Sequence, residues 1–504
     1  MMAGNNQAGL SNESSTEEQR VAKRPWHAFA TPLIGKAVRT AARITKHGGS
    51  AFPGKIVEQI DPNFLRRTLH KLPLGVVLVS GTNGKTTTTR MVASMLEALG
   101  LKVFTNPTGS NFTRGVVSSL LTEVNAAGAL DADIAVLELD EAYAVHFVKQ
   151  VKPHYALLLN VMRDQLDRFG EIDNTAKLLS HVAETTTGTV VLNREDPRIA
   201  ALAEVVPEGT QTRWFGLSAE LKPFFPSDDE MATTIQRQAA ADDRAAGDTT
   251  ATAPSDETVT DQIPADVTLE RVGDHRATFN VEGTEISTDV KLEGVYNLYN
   301  AAAALAIVRA IQADLNDAAN VRVATRVLRR KAISPFINRA RAFANASLAD
   351  QMVALGNVTP AFGRGESIDV NGSRVELLLV KNPMGFRLSL ASFPPENCDT
   401  MICINDEYAD GRDMSWLWDV DFTSLRGTEV AAVSGVRAWD MALRLAYDQV
   451  PTRHIDTDLE KTVIDFAQSN PGTTKHIYCT YTAMLQVRAA LATIANVSDA
   501  GVGK

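Results

Sequence analysis

The chain has 504 residues, enough for two or three domains that each bury a core, and 44% of it is hydrophobic. A charged fraction of 22% and a formal charge of −10 exclude a protein built to grip nucleic acid, so no nucleic-acid partner is expected. Three cysteines, Cys398, Cys403 and Cys479, are too few for a disulfide framework. The polar, acidic start of the chain is no secretion signal, and no apolar run reaches the roughly 18 residues of a membrane span, so the expected compartment is the cytoplasm.

In chain order, residues 1–24 read as a disordered tail. Residues 25–50 interleave Lys36, Arg39, Arg43 and Lys46 with Phe29, Leu33, Ile34, Val38 and Ile44, which predicts a cationic amphipathic helix. Such a helix either packs on the core with a solvated face or makes a peripheral contact with anionic lipid at the inner face of a membrane. From 51 to 335, short β-rich runs (76–79, 134–139, 155–159, 189–192) alternate with helical stretches, the pattern of a parallel sheet wrapped by helices in an α/β domain. An acidic, Ala- and Thr-rich segment, 226–265, reads as an insertion in that domain. A second β/α series (375–380, 401–404, 429–433, 476–481) predicts a separate doubly wound, Rossmann-like domain over 336–504.

The run 76–80 ends in Gly81, Thr82, Asn83, Gly84, Lys85, Thr86 and Thr87, and a helical pattern through Met91, Met95 and Leu99 follows. Strand, glycine loop and helix in this order make a phosphate-binding loop. Gly81 and Gly84 let backbone N–H groups turn toward phosphate oxygens, and the helix N-terminus adds positive potential. Lys85 supplies a cation for the terminal phosphates, and the Thr86 hydroxyl suits Mg2+, so ATP and Mg2+ are the expected cofactors.

Thr82-Asn83 between the glycines and the threonine run after Lys85 resemble the Mur ligases and folylpolyglutamate synthases. Three further motifs fall in the same order: Glu138 at the end of 134–139, the Asn193-x-x-Asp196 turn, and 294–301 with Asn297 and Asn300. By that resemblance Glu138 joins Thr86 on magnesium, and Asn300 contacts adenine. The segments 105–111, 163–171 and 405–416 are most similar to the MurT-type synthetase subunits of the lipid II isoglutaminyl synthases, over nearly all of 25–490. The resemblance implies a Mur-ligase-type central P-loop ATPase domain and a C-terminal ligase domain, without the N-terminal nucleotide-sugar domain of full-length Mur ligases. Gln165 stands where ordinary Mur ligases have histidine, and Lys177 is the nearest lysine to their carbamylated one. The insertion holds none of the cysteines of the zinc ribbon found in many relatives, so no zinc is expected.

The activity so implied is ATP-dependent amidation of the D-glutamate α-carboxylate in the lipid II stem peptide, through an acyl phosphate. Arg364 is the candidate C-terminal cation for the phosphoryl group, with an ion pair to Glu366 as the plainer reading. Asn106, Asn111 and Arg114 are candidates for a substrate-facing loop, with turn formation as the alternative. No cysteine sits at a nucleophile turn paired with a histidine, so ammonia is expected from a GatD-like glutamine amidotransferase partner. Asp413 matches the aspartate that relatives lend to that partner's Cys/His pair, against an ion pair with Arg412 or Arg437. Competing functions are a folylpolyglutamate-synthase-like amino-acid ligase and a non-catalytic nucleotide-binding scaffold.

Overall fold

A computed structural model describes residues 30–44, 52–106, 111–162, 172–222, 263–273, 276–291, 295–316, 333–358, 364–407 and 410–497. The tail 1–24, nearly all of the acidic insertion and the segment 163–171 with Gln165 lie outside the described residues.

Strands β1 (Val76–Ser80), β3 (Ile134–Glu138), β4 (Tyr155–Leu158) and β5 (Thr189–Asn193) are buried at every residue. Such unbroken apolar runs form where both faces of a parallel sheet are covered. They join β2 (Val103–Thr105), β6 (Gln211–Leu217), β7 (Val267–Gly273), β8 (Arg276–Val281) and β9 (Thr284–Asp289) in a nine-stranded sheet of order β2-β3-β1-β4-β5-β6-β7-β8-β9. Pairing is parallel from β2 to β7 and antiparallel from β7 to β9. Side chains alternate between the faces. Val77 and Val79 enter a core with Met91, Met95 and the buried alanines 301–304, while Val76 and Leu78 enter another with Val116, Leu120 and Phe147. The alanines belong to the 22-residue helix Val295–Asn316, and their small side chains let it lie close to β5, β6, β7 and the helix Lys85–Ala98.

The second sheet takes β10 (Arg364–Val370), β11 (Ser373–Leu379), β12 (Cys398–Cys403), β13 (Ala432–Ser434), β14 (Ile455–Asp456) and β15 (Thr474–Cys479) in the order β10-β11-β15-β12-β13-β14. Only β10 runs antiparallel to its neighbour. In each sheet the chain order reverses beside a central strand, and ligands of such sheets bind beyond the strands' carboxyl ends at that reversal. In the first sheet the reversal is at β1, which pairs with β3 on one side and β4 on the other, so its carboxyl end opens into Gly81. Among the described residues no helix is long and apolar enough to cross a membrane.

Candidate active site

The loop after β1 is shaped by a strap from the end of β4. Thr82 N–H donates to the Asn160 carbonyl at 2.9 Å, Asn83 N–H donates to Asn160 Oδ1 at 2.8 Å, and Asn160 Nδ2 donates back to the Asn83 carbonyl at 3.1 Å. Gly81 and Gly84 have φ of 134° and 84°, a region that disfavours side chains. A Cβ on Gly84 would also stand 2.4 Å from Asn300 Oδ1. The strap itself is tied down, because Val161 N–H donates to Asp196 at 2.7 Å and Asn193 Nδ2 donates to the Leu159 carbonyl at 2.8 Å. The Asn193-x-x-Asp196 motif thus braces the loop from beneath. Burial pushes the Asp196 carboxyl up to about 6 against the backbone N–H groups of Val161, Ile199 and Arg198.

Lys85 and Thr86 begin the helix Lys85–Ala98 and are buried. The Lys85 ammonium lies 3.0 Å from Asp140 and 3.3 Å from Glu141, two carboxylates the sequence reading did not single out. Burial raises both groups' pKa values, but Lys85, a hydrogen bond from Glu141 and the charge of Lys381 hold Asp140 well below the ordinary carboxylate range. Glu141 is pushed up to about 7, by burial against Lys85 and with the negative charge of Asp140 adding to it. Asp140 is therefore the principal counter-ion of Lys85, and Glu141 beside it is a much weaker acid than an ordinary glutamate.

Thr86 Oγ1 donates to Glu138 Oε1 at 2.8 Å, so the two oxygens assigned to magnesium are brought together. Among the described residues there is no group of three or more His, Cys, Asp or Glu suited to a metal ion. One hydroxyl and one carboxylate fit Mg2+ carried by a nucleotide, which keeps phosphate and water ligands and needs few from protein. Asn106 brackets the same carboxylate: its Nδ2 donates to the Glu138 carbonyl and its Oδ1 accepts from Glu138 N–H, each at 2.9 Å. Its amide is occupied in holding Glu138 rather than turned toward a substrate. Asn111 accepts Asp140 N–H at 3.0 Å through its carbonyl, and Arg114 pairs with Glu58 at 2.9 Å on the surface.

The second sheet reaches this loop through residues the sequence reading missed. At the end of β11, Lys381 Nζ donates to the Thr82 carbonyl at 3.1 Å, and Asn382 Nδ2 donates to Asn83 Oδ1 at 2.9 Å. Asn382 also caps the helix Pro383–Ser392 by accepting Gly385 N–H at 2.7 Å, so it is fixed from its own side and is fully buried. The Asn-Pro pair at a helix start was the available signal. A cleft between the two sheets is lined by Asn83, Gly84, Tyr296 and Asn300 on one wall and Leu379, Lys381, Leu388 and Phe393 on the other. Asn300 Nδ2 is buried there without a protein acceptor. Arg364 opens β10 at the sheet edge with its side chain outside the described residues, and Glu366 pairs with Arg488. Lys177 is exposed on the helix Ile172–Thr185.

Asp413 stands apart, exposed on the loop beyond β12. Its carboxylate accepts Ser415 N–H at 2.8 Å, which holds it below the ordinary aspartate range. Arg437 pairs with Asp406 at 2.8 Å and Asp440 at 3.1 Å instead. The loop is anchored by Asp410, which accepts Thr482 N–H at 2.7 Å, and by Asn405, which accepts Val436 N–H at 3.0 Å.

Residues 79–308 match the Mur ligase middle domain and residues 379–484 match the MurT ligase C-terminal domain. Over these two stretches the chain is similar to the Mur ligases. The MurT subunit of the glutamine-hydrolysing lipid II isoglutaminyl synthase of Streptococcus pneumoniae is 28% identical over 88% of this chain and 92% of that one. Its counterpart from Staphylococcus aureus is 26% identical over 85% and 89%. A MurF ligase from Thermotoga maritima, solved with ADP, shares the fold with a TM-score of 0.57 at 16% identity, over 86% of this chain and 83% of that one.

Proposed function

We propose that this chain is a Mur-type ligase that uses ATP to convert the α-carboxylate of D-glutamate in the lipid II stem peptide to the amide, as the synthetase subunit of a lipid II isoglutaminyl synthase. The observation that carries the reading is the phosphate loop with Lys85, Thr86 and Glu138 on one domain, met by Lys381 and Asn382 from a MurT-type C-terminal domain. A carboxylate resists attack by ammonia until one oxygen becomes a leaving group. Transfer of the γ-phosphoryl to that oxygen forms an acyl phosphate and releases ADP. Ammonia then attacks the carbonyl carbon, phosphate leaves, and the nitrogen loses a proton. Lys85 and Lys381 offset negative charge around the moving phosphoryl group, a role assigned to Arg364 on sequence grounds and open to it as well. Thr86 and Glu138 would hold Mg2+, which supplies further charge neutralisation at the phosphates. Asn106 keeps Glu138 in place, and Asn300 offers its unmatched donor to the adenine.

Ammonia has to come from elsewhere. All three thiols are raised by burial, with Glu376 and Asp399 adding to it at Cys398, so none is disposed to act as the thiolate of a glutaminase. The relatives' names specify a glutamine-hydrolysing assembly, which supports a GatD-like partner with Asp413 orienting its catalytic histidine. The helix Thr31–Ile44 exposes Leu33 and Ile34 next to Lys36, which supports a peripheral contact with the membrane that carries lipid II.

The test is mass spectrometry of lipid II incubated with the chain, ATP, Mg2+ and ammonium, or with glutamine and the amidotransferase subunit. Conversion of one carboxylate to an amide in both mixtures is expected. Asp413→Asn should abolish only the glutamine-driven product. Unchanged lipid II together with glutamate added to a folate would replace this reading with the folate-ligase one.

A further inference from the structure

The segment between β2 and the helix Thr113–Glu123 joins the site through Asp140, and its polar residues are already engaged. Asn106 brackets Glu138, the Asn111 carbonyl accepts Asp140 N–H at 3.0 Å, and Arg114 pairs with Glu58. Open to solvent beside them is an aromatic pair. The rings of Phe112 and Tyr143 stand 6.0 Å apart, centre to centre, and are inclined by 57°, within the range that attracts two rings to each other. Phe112 is half-buried, and Tyr143 is 39% exposed.

Both rings are held by the backbone on which they stand. The Phe112 carbonyl accepts Gly115 N–H at 2.8 Å and Val116 N–H at 3.2 Å, which fixes it at the start of the helix Thr113–Glu123. Tyr143 lies in the first turn of the helix Glu141–Val148, three residues beyond Asp140. Three helical residues advance about 4.5 Å, and Asp140 is itself 3.0 Å from the Lys85 ammonium. The pair therefore stands close to the cation that meets the phosphoryl group, on helices that leave the carboxyl ends of β2 and β3. One residue on from Phe112, Thr113 Oγ1 is buried without a hydrogen-bond partner among the described residues, so this helix start still has a hydroxyl to match.

We propose that Phe112 and Tyr143 form a subsite for the amino-sugar ring of the acceptor, an inference that rests on the assignment of the lipid II stem peptide as substrate. Two features select a sugar. One alanine and a lactyl group separate the reacting glutamate from the muramoyl ring, a span of roughly 7 Å for two extended units. That is the scale of the step from Lys85 through Asp140 to Tyr143. A pyranose also presents a face of C–H groups, and these lie favourably on the electron-rich face of a phenyl or phenol ring.

The test compares two acceptors with the full-length chain at saturating ATP, Mg2+ and ammonium: a water-soluble N-acetylmuramoyl stem peptide, and the same peptide without the sugar. In the wild-type chain the sugar should lower KM by about tenfold, the size of one good aromatic contact. In Tyr143→Ala, KM for the sugar-bearing acceptor should rise to that of the bare peptide, with kcat and the KM for ATP unchanged. Tyr143→Phe should behave as wild type, because the ring and not the hydroxyl makes the contact. An equal response of the two acceptors to Tyr143→Ala, or a lowered melting temperature with no change in either KM, overturns the proposal. The pair would then be a staple between two helices. Binding of N-acetylmuramoyl-L-alanyl-D-glutamate, followed without turnover by saturation-transfer NMR, separates the subsite from the assigned reaction. Contact with the sugar protons that is lost in Tyr143→Ala, in a chain that amidates neither acceptor, keeps the subsite and removes the reaction. Amidation indifferent to the sugar keeps the reaction and removes the subsite.

Discussion

The phosphate loop and the aromatic helix Ala438–Tyr447, which leaves a stripe of Trp439, Leu443 and Tyr447 exposed, are both patches of high chemical potential, and they handle it in opposite ways. At the loop the polar groups are matched inside the protein: the Lys85 charge by Asp140 and Glu141, the Thr86 hydroxyl by Glu138, and the Asn83 amides by Asn160 and Asn382. A ligand entering there must exchange existing partners for its own, as a small, highly charged molecule can. At the aromatic helix the cation is matched from within, through Arg444, and the apolar surface is left uncovered. Only something large can cover it. Burial with satisfied charges marks a site for a small anion, while exposure on a rigid base marks a site for a macromolecule.

Removing a cation from the loop breaks the comparison most directly. Lys85→Ala leaves Asp140 and Glu141 facing each other and takes away the charge that the phosphoryl group needs. ATP-dependent amidation should fall by about 10²–10³-fold in single-turnover assays, with affinity for the amidotransferase untouched. Loss of both properties together would mean that the two regions are not independent. The hinge contacts come next. Lys381→Met removes the ammonium bond to the Thr82 carbonyl, and kcat/KM for ATP should drop by roughly 10- to 100-fold, the worth of a hydrogen bond from a charged group, while Asn382→Ala removes neutral amide bonds to Asn83 and should cost about 10-fold. The melting temperature should move little in Lys381→Met, because each domain keeps its own core, whereas Asn382→Ala also loses the cap of the helix Pro383–Ser392 and should cost roughly 0.5–2 kcal/mol of stability; a large fall in Lys381→Met would assign that residue to folding instead of to the nucleotide.

Much of this was legible before any coordinates. The strand, glycine loop and helix of 76–99 are a local pattern, and local patterns survive into structure because the backbone needs those residue types at those places. The fully buried strands also announced themselves as continuous apolar runs. The hairpin strands β8 and β9 did not: in Thr284–Asp289 only Ile286 is a large apolar residue, and backbone pairing at the sheet edge holds the segment. Asp140 and Glu141 were in plain sight after Glu138, but their relation to Lys85 depends on a crossing of 56 residues that brings β3 alongside β1. Lys381 and Asn382 needed two domains to meet across a gap of 299 residues. Asn106 was placed near the site and given to the substrate, whereas its amide closes on the backbone of Glu138. The aromatic stripe had helical spacing, and spacing alone does not say which face of a helix is left outside.

The smallest effect sharpens the comparison through pH. Glu141 is pushed up to about 7 from 4.5, with burial as the main cause. A carboxyl whose folded pKa is raised stabilises the fold fully below its unfolded value, and that contribution is lost as pH climbs through the folded one. Asp140 shifts the other way, so its contribution is lost only in acid and is constant from pH 5 to 8. Asp196, raised to about 6, adds a second slope of the same sign as Glu141. Thermal melts of the ligand-free chain should therefore decline from pH 5 to 8, with Glu141 contributing on the order of 1–3 kcal/mol. Glu141→Gln should keep only the shallower part due to Asp196. An undiminished slope in that variant would show that Glu141 is ionised in the fold, and that Lys85 is balanced by two charges rather than by one charge and a proton. Asp413, held low by Ser415, keeps its charge throughout this window, so its part of the surface should not share the pH dependence of the loop.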